Sequence, residues 1–287
     1  MRDIDMTAAQ AEARAITAHG EPTYRWSDLR AHRSALGLRR EEIVALLGIN
    51  GHKYWERETG SRPVGADLMP AVLGMERFVQ RITLQEIAAI EADPPARGGT
   101  VVLEVFGDQA EFDRSYPDAQ AEFGGVRYPL LFQQVAIGRA SAELTRRGYV
   151  VEVYRGDLRV DLAVRRLAAG LLKGDTIALL GVDRKRYYRW EAGTNPPPAG
   201  LIAELQAVDD FIDEAAADLR VETAGGLSVV MTVEDDEVFK QMYPRACTTR
   251  GGNRYPLRVL RLAAVRRASA IRSSGGDARI VVTGDIV

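Results

Sequence analysis

Two stretches, LLGINGHKYWERETGSRPVG at 46–65 and LLGVDRKRYYRWEAGTNPPP at 179–198, are written on one plan. A constant offset of 133 pairs Leu46 with Leu179, Gly48 with Gly181, Tyr54 with Tyr187, Glu58 with Glu191, Gly60 with Gly193 and Pro63 with Pro196. An internal repeat dictates architecture before any single motif does. This one continues: VVLEVFGDQAEFDRSYP at 101–117 resembles SVVMTVEDDEVFKQMYP at 228–244, now at an offset of 127. RYPL recurs at 127–130 and 254–257, RASA at 139–142 and 267–270, and Gly156-Asp157 is echoed by Gly284-Asp285, so the offset drifts from 133 to 127 to 128. Residues 26–157 and 159–285 are therefore one plan written twice, each with two modules in the same order.

In the first module of each half, Ser27 or Asp28 can cap a helix that ends at Gly37. REEIVALL at 40–47 makes a second helix, and Gly48 and Gly181 stop that helix by taking a positive φ. Asn50 and Asp183 are good N-caps for a third helix, closed by Gly60 and Gly193 with Pro63 and Pro196 beyond. Helix, glycine turn, capped helix is the grammar of a helix-turn-helix. In the second module, VVLEVF at 101–106, LSVVMTV at 227–233, VVEVY at 150–154 and RIVV at 279–282 read as strands. Between them lie an acid-started helix ending at Tyr-Pro and a longer helix, over about 129–147 and 256–273. EADPPARGG at 91–99 and VETAGG at 221–226 read as linkers. Strand, helix, helix, strand is too small a core to stand alone, so each module wants a partner.

These motifs carry a resemblance. LLGINGHKYWERETGSRP and LLGVDRKRYYRWEAGTNPP resemble the Cro/C1-type helix-turn-helix, copy two more closely through Trp190-Glu191. A helix-turn-helix followed by the small module is similar to the anti-CRISPR-associated (Aca) repressors and YdiL-like proteins. The resemblance implies that the third helix lies in the major groove with its N-terminal residues at base edges, which assigns base contact to Arg184, Lys185, Arg186 and Arg189. Copy one departs from that pattern, with Asn50, Gly51, His52, Lys53 and Glu56 at the corresponding end; Glu56 would repel phosphate and accepts at best from a cytosine amine. Arg57 aligns with Trp190 unless a local gap pairs Trp55 with Trp190 instead. Arg39, Arg40 and Lys173 open the second helix, where they grip phosphate or simply mark an exposed helix end. Tyr187, Tyr54, Trp55 and Tyr188 read as core or phosphate-facing residues rather than base-stackers.

The resemblance further implies a C-terminal module that dimerises, hence a single-chain pseudodimer in which 101–156 pairs with 227–284. The expected fold class is α+β, with a 1–25 extension, helix-turn-helix domains at 26–92 and 157–220, and pairing modules at 100–156 and 227–287. The expected partner is double-stranded DNA at an imperfect inverted repeat or asymmetric operator, bound by a monomer without cooperativity in protein concentration. Repression is the expected sign of regulation.

Bulk composition neither opposes this nor supplies a rival chemistry. The net charge of −2 and pI near 6.0 weigh against an evenly charged nucleic-acid binder. Charge is uneven, however: 159–193 holds eight Arg/Lys against four acids, while acids collect at 204–222 and 234–237. One cysteine, Cys247, and three histidines give no zinc set, and no cofactor, metal or catalytic constellation is expected. No apolar run suits a membrane span, the N-terminus lacks a signal-peptide pattern, and Thr7 could cap a helix there; a cytoplasmic protein with no membrane partner is expected. Two alternatives stay open. Arg250, Arg254, Arg258, Arg261, Arg266, Arg267 and Arg272 suggest RNA binding, unless those arginines pair with acids at 234–237 or in the other half. An antitoxin-like interaction protein is the third reading.

Overall fold

The sequence folds into a mixed α+β structure, seen in a computed structural model that describes residues 24–96, 99–121 and 124–283. Three short helices open each half. The first begins at Trp26 with Arg25 as its N-cap, so Ser27 and Asp28 lie inside its first turn instead of capping it, and Asp28 accepts the Arg25 N–H at 2.9 Å. Helices α1 (Trp26–Ala35), α2 (Arg40–Leu47) and α3 (Gly51–Glu58) match α7 (Asp161–Ala168), α8 (Lys173–Leu180) and α9 (Arg184–Glu191) in the second half. Gly48 and Gly181 end α2 and α8 at φ 62° and 61°, the left-handed region that glycine enters without a Cβ penalty. Because α2/α8 and α3/α9 keep the 133 offset without a gap, Arg57 stands where Trp190 does, and Trp55 where Tyr188 does.

A long helix follows each trio: α4 (Leu68–Ala92) and α10 (Ala199–Asp218). Their buried positions also coincide at 133, Leu68 with Leu201, Val72 with Leu205, Met75 with Val208 and Val79 with Ile212. Phe78 meets Tyr116 and Tyr128 at 5.7 and 5.1 Å between ring centroids, and Phe211 meets Tyr243 and Tyr255 at 5.5 and 5.3 Å. The hydrophobic core thus runs from the helical trio through the long helix into the following module, across residues 92–100.

In that module, β1 (Thr100–Glu104), α5 (Gln109–Ser115), α6 (Leu131–Arg146) and β2 (Val150–Arg155) match β5 (Leu227–Thr232), α11 (Asp236–Met242), α12 (Arg258–Ser273) and β6 (Asp277–Val282). Each strand pair is parallel, with Thr100 opposite Val150 and Leu227 opposite Asp277, so the 127 offset holds throughout. The RASA match at 128 is a one-residue slip: Arg139 corresponds to Arg266, not Arg267. Each sheet gains a third, antiparallel strand by a hairpin, β3 (Leu158–Arg159) on β2 and β4 (Val221–Ala224) on β5. The segment 221–226 is therefore not a linker. The Gly284-Asp285 echo and the Thr7 helix lie outside the described residues.

What joins the halves also differs from the expected pairing of module with module. Helix α7 packs along α6 of the first half, and α1 packs along α12 and β6 of the second. Ser27 donates to the Ile280 carbonyl at 2.6 Å, and Ile280 N–H donates to the buried Asp28 carboxylate at 2.8 Å. The small modules do need partners, but each finds one in the first helix of the other half. A short helix can lay its apolar side on α6 or α12 without displacing the long helix already packed there, whereas a whole second module could not.

Candidate nucleic-acid interface

The buried acid of each third helix anchors the exposed face beside it. Glu191 is 7% exposed and receives Arg166 at 2.6 Å and Lys173 at 2.9 Å. Glu58 holds Arg33 and Arg40 in the same way, Arg40 at 3.0 Å. Tyr187 and Tyr54 are fully buried with their hydroxyls on these acids, at 3.5 and 3.4 Å. Burial, followed by the neighbouring carboxylate, pushes both phenols well above the usual tyrosine range, so both remain protonated donors. Tyr187 is consequently a core residue with no surface open to a ligand. Lys173 and Arg40 serve first as counter-ions to buried carboxylates, and Arg39 hydrogen-bonds Glu42 at 2.8 Å.

On α9, Asp183 accepts the Arg186 N–H at 3.0 Å and fixes the start of the helix. Arg184, Lys185, Arg186 and Arg189 are all exposed, and none forms an ion pair with a described residue. Tyr188 lies between two cations, the Arg184 guanidinium 5.5 Å and the Lys173 ammonium 5.6 Å from its ring centroid. That stacking orders Arg184 without neutralising it. Arg186, Arg189, half-buried Trp190 and Asn195 line a shallow depression of about 300 Å³. The four cations thus form an uncompensated face at a helix N-terminus, suited to polyanion contact and to hydrogen bonding with acceptor edges.

Copy one is built alike and charged differently. Asn50 accepts from His52 N–H at 2.9 Å and Lys53 N–H at 3.2 Å, so its amide oxygen is spent on the cap. His52 stacks on Trp55, centroids 5.9 Å apart and planes 15° from parallel, and approaches Glu56 at 3.6 Å. Arg62 reaches the other oxygen of Glu56 at 3.5 Å. The Arg62 guanidinium thus compensates Glu56, leaving Lys53 and the half-exposed Trp55 as the prominent groups. Sequence reasoning missed both Arg62 and the exposure of Trp55. The signal lay in comparing copies, since Glu56 with Arg62 replaces Arg189 with Asn195.

The arginine-rich C-terminal helix is otherwise engaged. Arg258 binds Asp175 at 3.0 Å, Arg261 binds Glu234, Arg266 binds Asp209 and Asp213, and Arg272 donates to the Ala278 carbonyl at 2.8 Å. Arg254 caps the Pro244 carbonyl at 2.5 Å. Four of the five arginines on that helix are thus engaged within the fold, while Arg267 forms no hydrogen bond or ion pair with a described residue. Among the described residues there is no cluster of three or more His, Cys, Asp or Glu arranged to hold a metal, and no helix long and apolar enough to cross a membrane. Comparison with protein-family models and with curated protein sequences found no match to this chain.

Proposed function

We propose that the chain is a sequence-specific double-stranded DNA-binding transcriptional regulator that works as an intramolecular pseudodimer with two non-identical reading helices. The observation that carries this reading is the exposed row of Arg184, Lys185, Arg186 and Arg189, none in an ion pair with a described residue, on a helix capped by Asp183 and braced from behind by Tyr187 and Glu191. A merely solvated basic helix would not need a buried carboxylate with two cationic partners to fix its rotation. The reciprocal packing of α1 on α12 and of α7 on α6 supports the pseudodimer, because each half completes the other. Covalent linkage presents the second reader at an effective concentration set by the fold. One chain per site, acting as a repressor by occupying it, follows from this reading.

The test is selection of bound fragments from random and genomic double-stranded DNA, with an RNA competitor present, followed by stoichiometry in the ultracentrifuge. An imperfect inverted repeat or asymmetric site bound by one chain is expected. Enrichment of no sequence, or displacement of DNA by equimolar RNA, would overturn the reading; an obligate dimer of this chain would overturn the pseudodimer.

A further inference from the structure

Helices α4, α6 and α12, with Asp213 of α10, line a half-open pocket of about 720 Å³, within the size range of small-molecule sites. Its lining includes residues related by the repeat: Ala35 with Ala168, Arg139 with Arg266, and Gln80 with Asp213. A cavity lined by both members of such pairs straddles the axis that relates the two halves. Its two sides are not alike. The last residue of α6, Arg146, crosses to Asp209 at 2.6 Å and Asp213 at 3.0 Å on α10, closing that side. The last residue of α12 is Ser273, and it faces a helix that carries Arg77 and Gln80 where α10 carries Asp210 and Asp213. No side chain bridges there among the described residues.

The interior has a definite chemistry. Six arginines line it against three carboxylates, and two of those arginines, Arg77 and Arg272, form no ion pair with a described residue. The Nε atom of Arg272 is buried without a hydrogen-bond partner. Apolar wall is supplied by Leu84, 54% exposed, together with Ile87, Leu262 and Val265. We infer that the cavity binds an organic anion with an apolar body, of the aromatic carboxylate or sulfonate class, its acid group held by Arg77 and Arg272 and its body laid on Leu84, Ile87 and Val265. The two guanidiniums select the charge, and the missing bridge at Ser273 supplies the room. This site stands apart from the DNA-binding reading and needs only the fold.

The experiment is fluorescence titration of the full chain with 8-anilinonaphthalene-1-sulfonate, beside the uncharged N-phenyl-1-naphthylamine. Saturable binding of one sulfonate per chain is expected, weakened at least tenfold by Ser273→Trp, which fills the room that the short side chain leaves. Arg77→Gln, a change at an exposed residue that leaves the unfolding midpoint in place, is expected to weaken the sulfonate tenfold and leave the neutral amine unaffected. Absence of saturable binding to the native chain, or equal sulfonate affinity in the wild type and Arg77→Gln, would overturn the assignment.

Discussion

Replacing Gly138 by alanine sets two well-characterised effects against each other. Gly138 lies in the middle of α6, where a Cβ would meet the Val164 carbonyl oxygen at 2.2 Å, its carbon at 2.7 Å and the Ala168 Cβ at 2.8 Å. Ordinary carbon–oxygen contacts lie at about 3.3 Å or more, so α7 would have to retreat by about 1 Å. Alanine favours a helix over glycine by about 1 kcal/mol. Overpacking costs about 1 to 3 kcal/mol, and the upper end applies because the obstacle is backbone, which cannot rotate aside. The net is a loss of about 2 kcal/mol, or a fall of about 0.7 M in the urea midpoint for a slope near 3 kcal/mol/M. Gly174→Ala in α8, where a Cβ meets nothing within 4 Å, is the matched control and should gain up to about 1 kcal/mol. Urea unfolding followed by circular dichroism reads both variants. If Gly138→Ala equals or exceeds the wild type while Gly174→Ala gains, the close approach of α6 and α7 is not a constraint and the reasoning fails.

Glu191→Ala should lose about 3 kcal/mol in the same assay, since it strands Arg166 and Tyr187 in the interior; a loss under about 1 kcal/mol would show that the pair does not brace α9. Arg186→Ala and Arg189→Ala should each lower affinity for the selected DNA site by about 1 to 3 kcal/mol, with a smaller loss on random DNA, and equal losses on both would make them phosphate contacts. Placing residues 184–189 into positions 51–56 should move the preferred site toward a palindrome, and an unchanged preference would mean that copy one does not read bases. Burial pushes the Asp209 carboxyl up, but Arg266 and Arg146 outweigh it and hold the group below the usual aspartate range. A depressed folded pKa stabilises above the unfolded value and is lost on acidification, so the stability gap between wild type and Asp209→Asn should narrow as the pH falls below about 4; a gap that widens instead would contradict the pairing.

The helical trios could be read in the sequence because their ends are local chemistry: Asn50 and Asp183 cap, and Gly48 and Gly181 stop, whatever packs against them. The long helices were not legible as repeats. Leu68 to Val79 and Leu201 to Ile212 share a burial pattern more than letters, and burial is decided by what lies opposite. Residues 221–226 read as a linker in the sequence, where Gly225-Gly226 follows a short polar stretch. Both glycines have positive φ, 59° and 85°, and join β4 to β5 as a two-residue hairpin turn, a signal that the flanking Val-Glu-Thr and Leu-Ser-Val could have supplied. At the candidate interface, the resemblance to the Cro/C1-type helix-turn-helix marked the cations of α9, whereas the inward turn of Tyr187 and the diversion of Lys173 and Arg40 to buried acids required the fold. The exchange of α1 and α7 between halves was invisible for a deeper reason. A repeat records that two units match, not which copy of an element completes which unit.

That exchange has a consequence for how the chain is made. Helix α7 follows β2 almost directly and meets its module at once. Helix α1 instead waits for β6, since Asp28 and Ile280 are 252 residues apart in the chain. At about 5 to 20 residues per second of synthesis, the side of α1 that carries Ala31 and Ala35 stays without α12 and β6 for about 13 to 50 s. Throughout that interval the emerging first half presents an unclosed seam, and an α12 from a neighbouring completed chain on the same messenger could close it in place of its own.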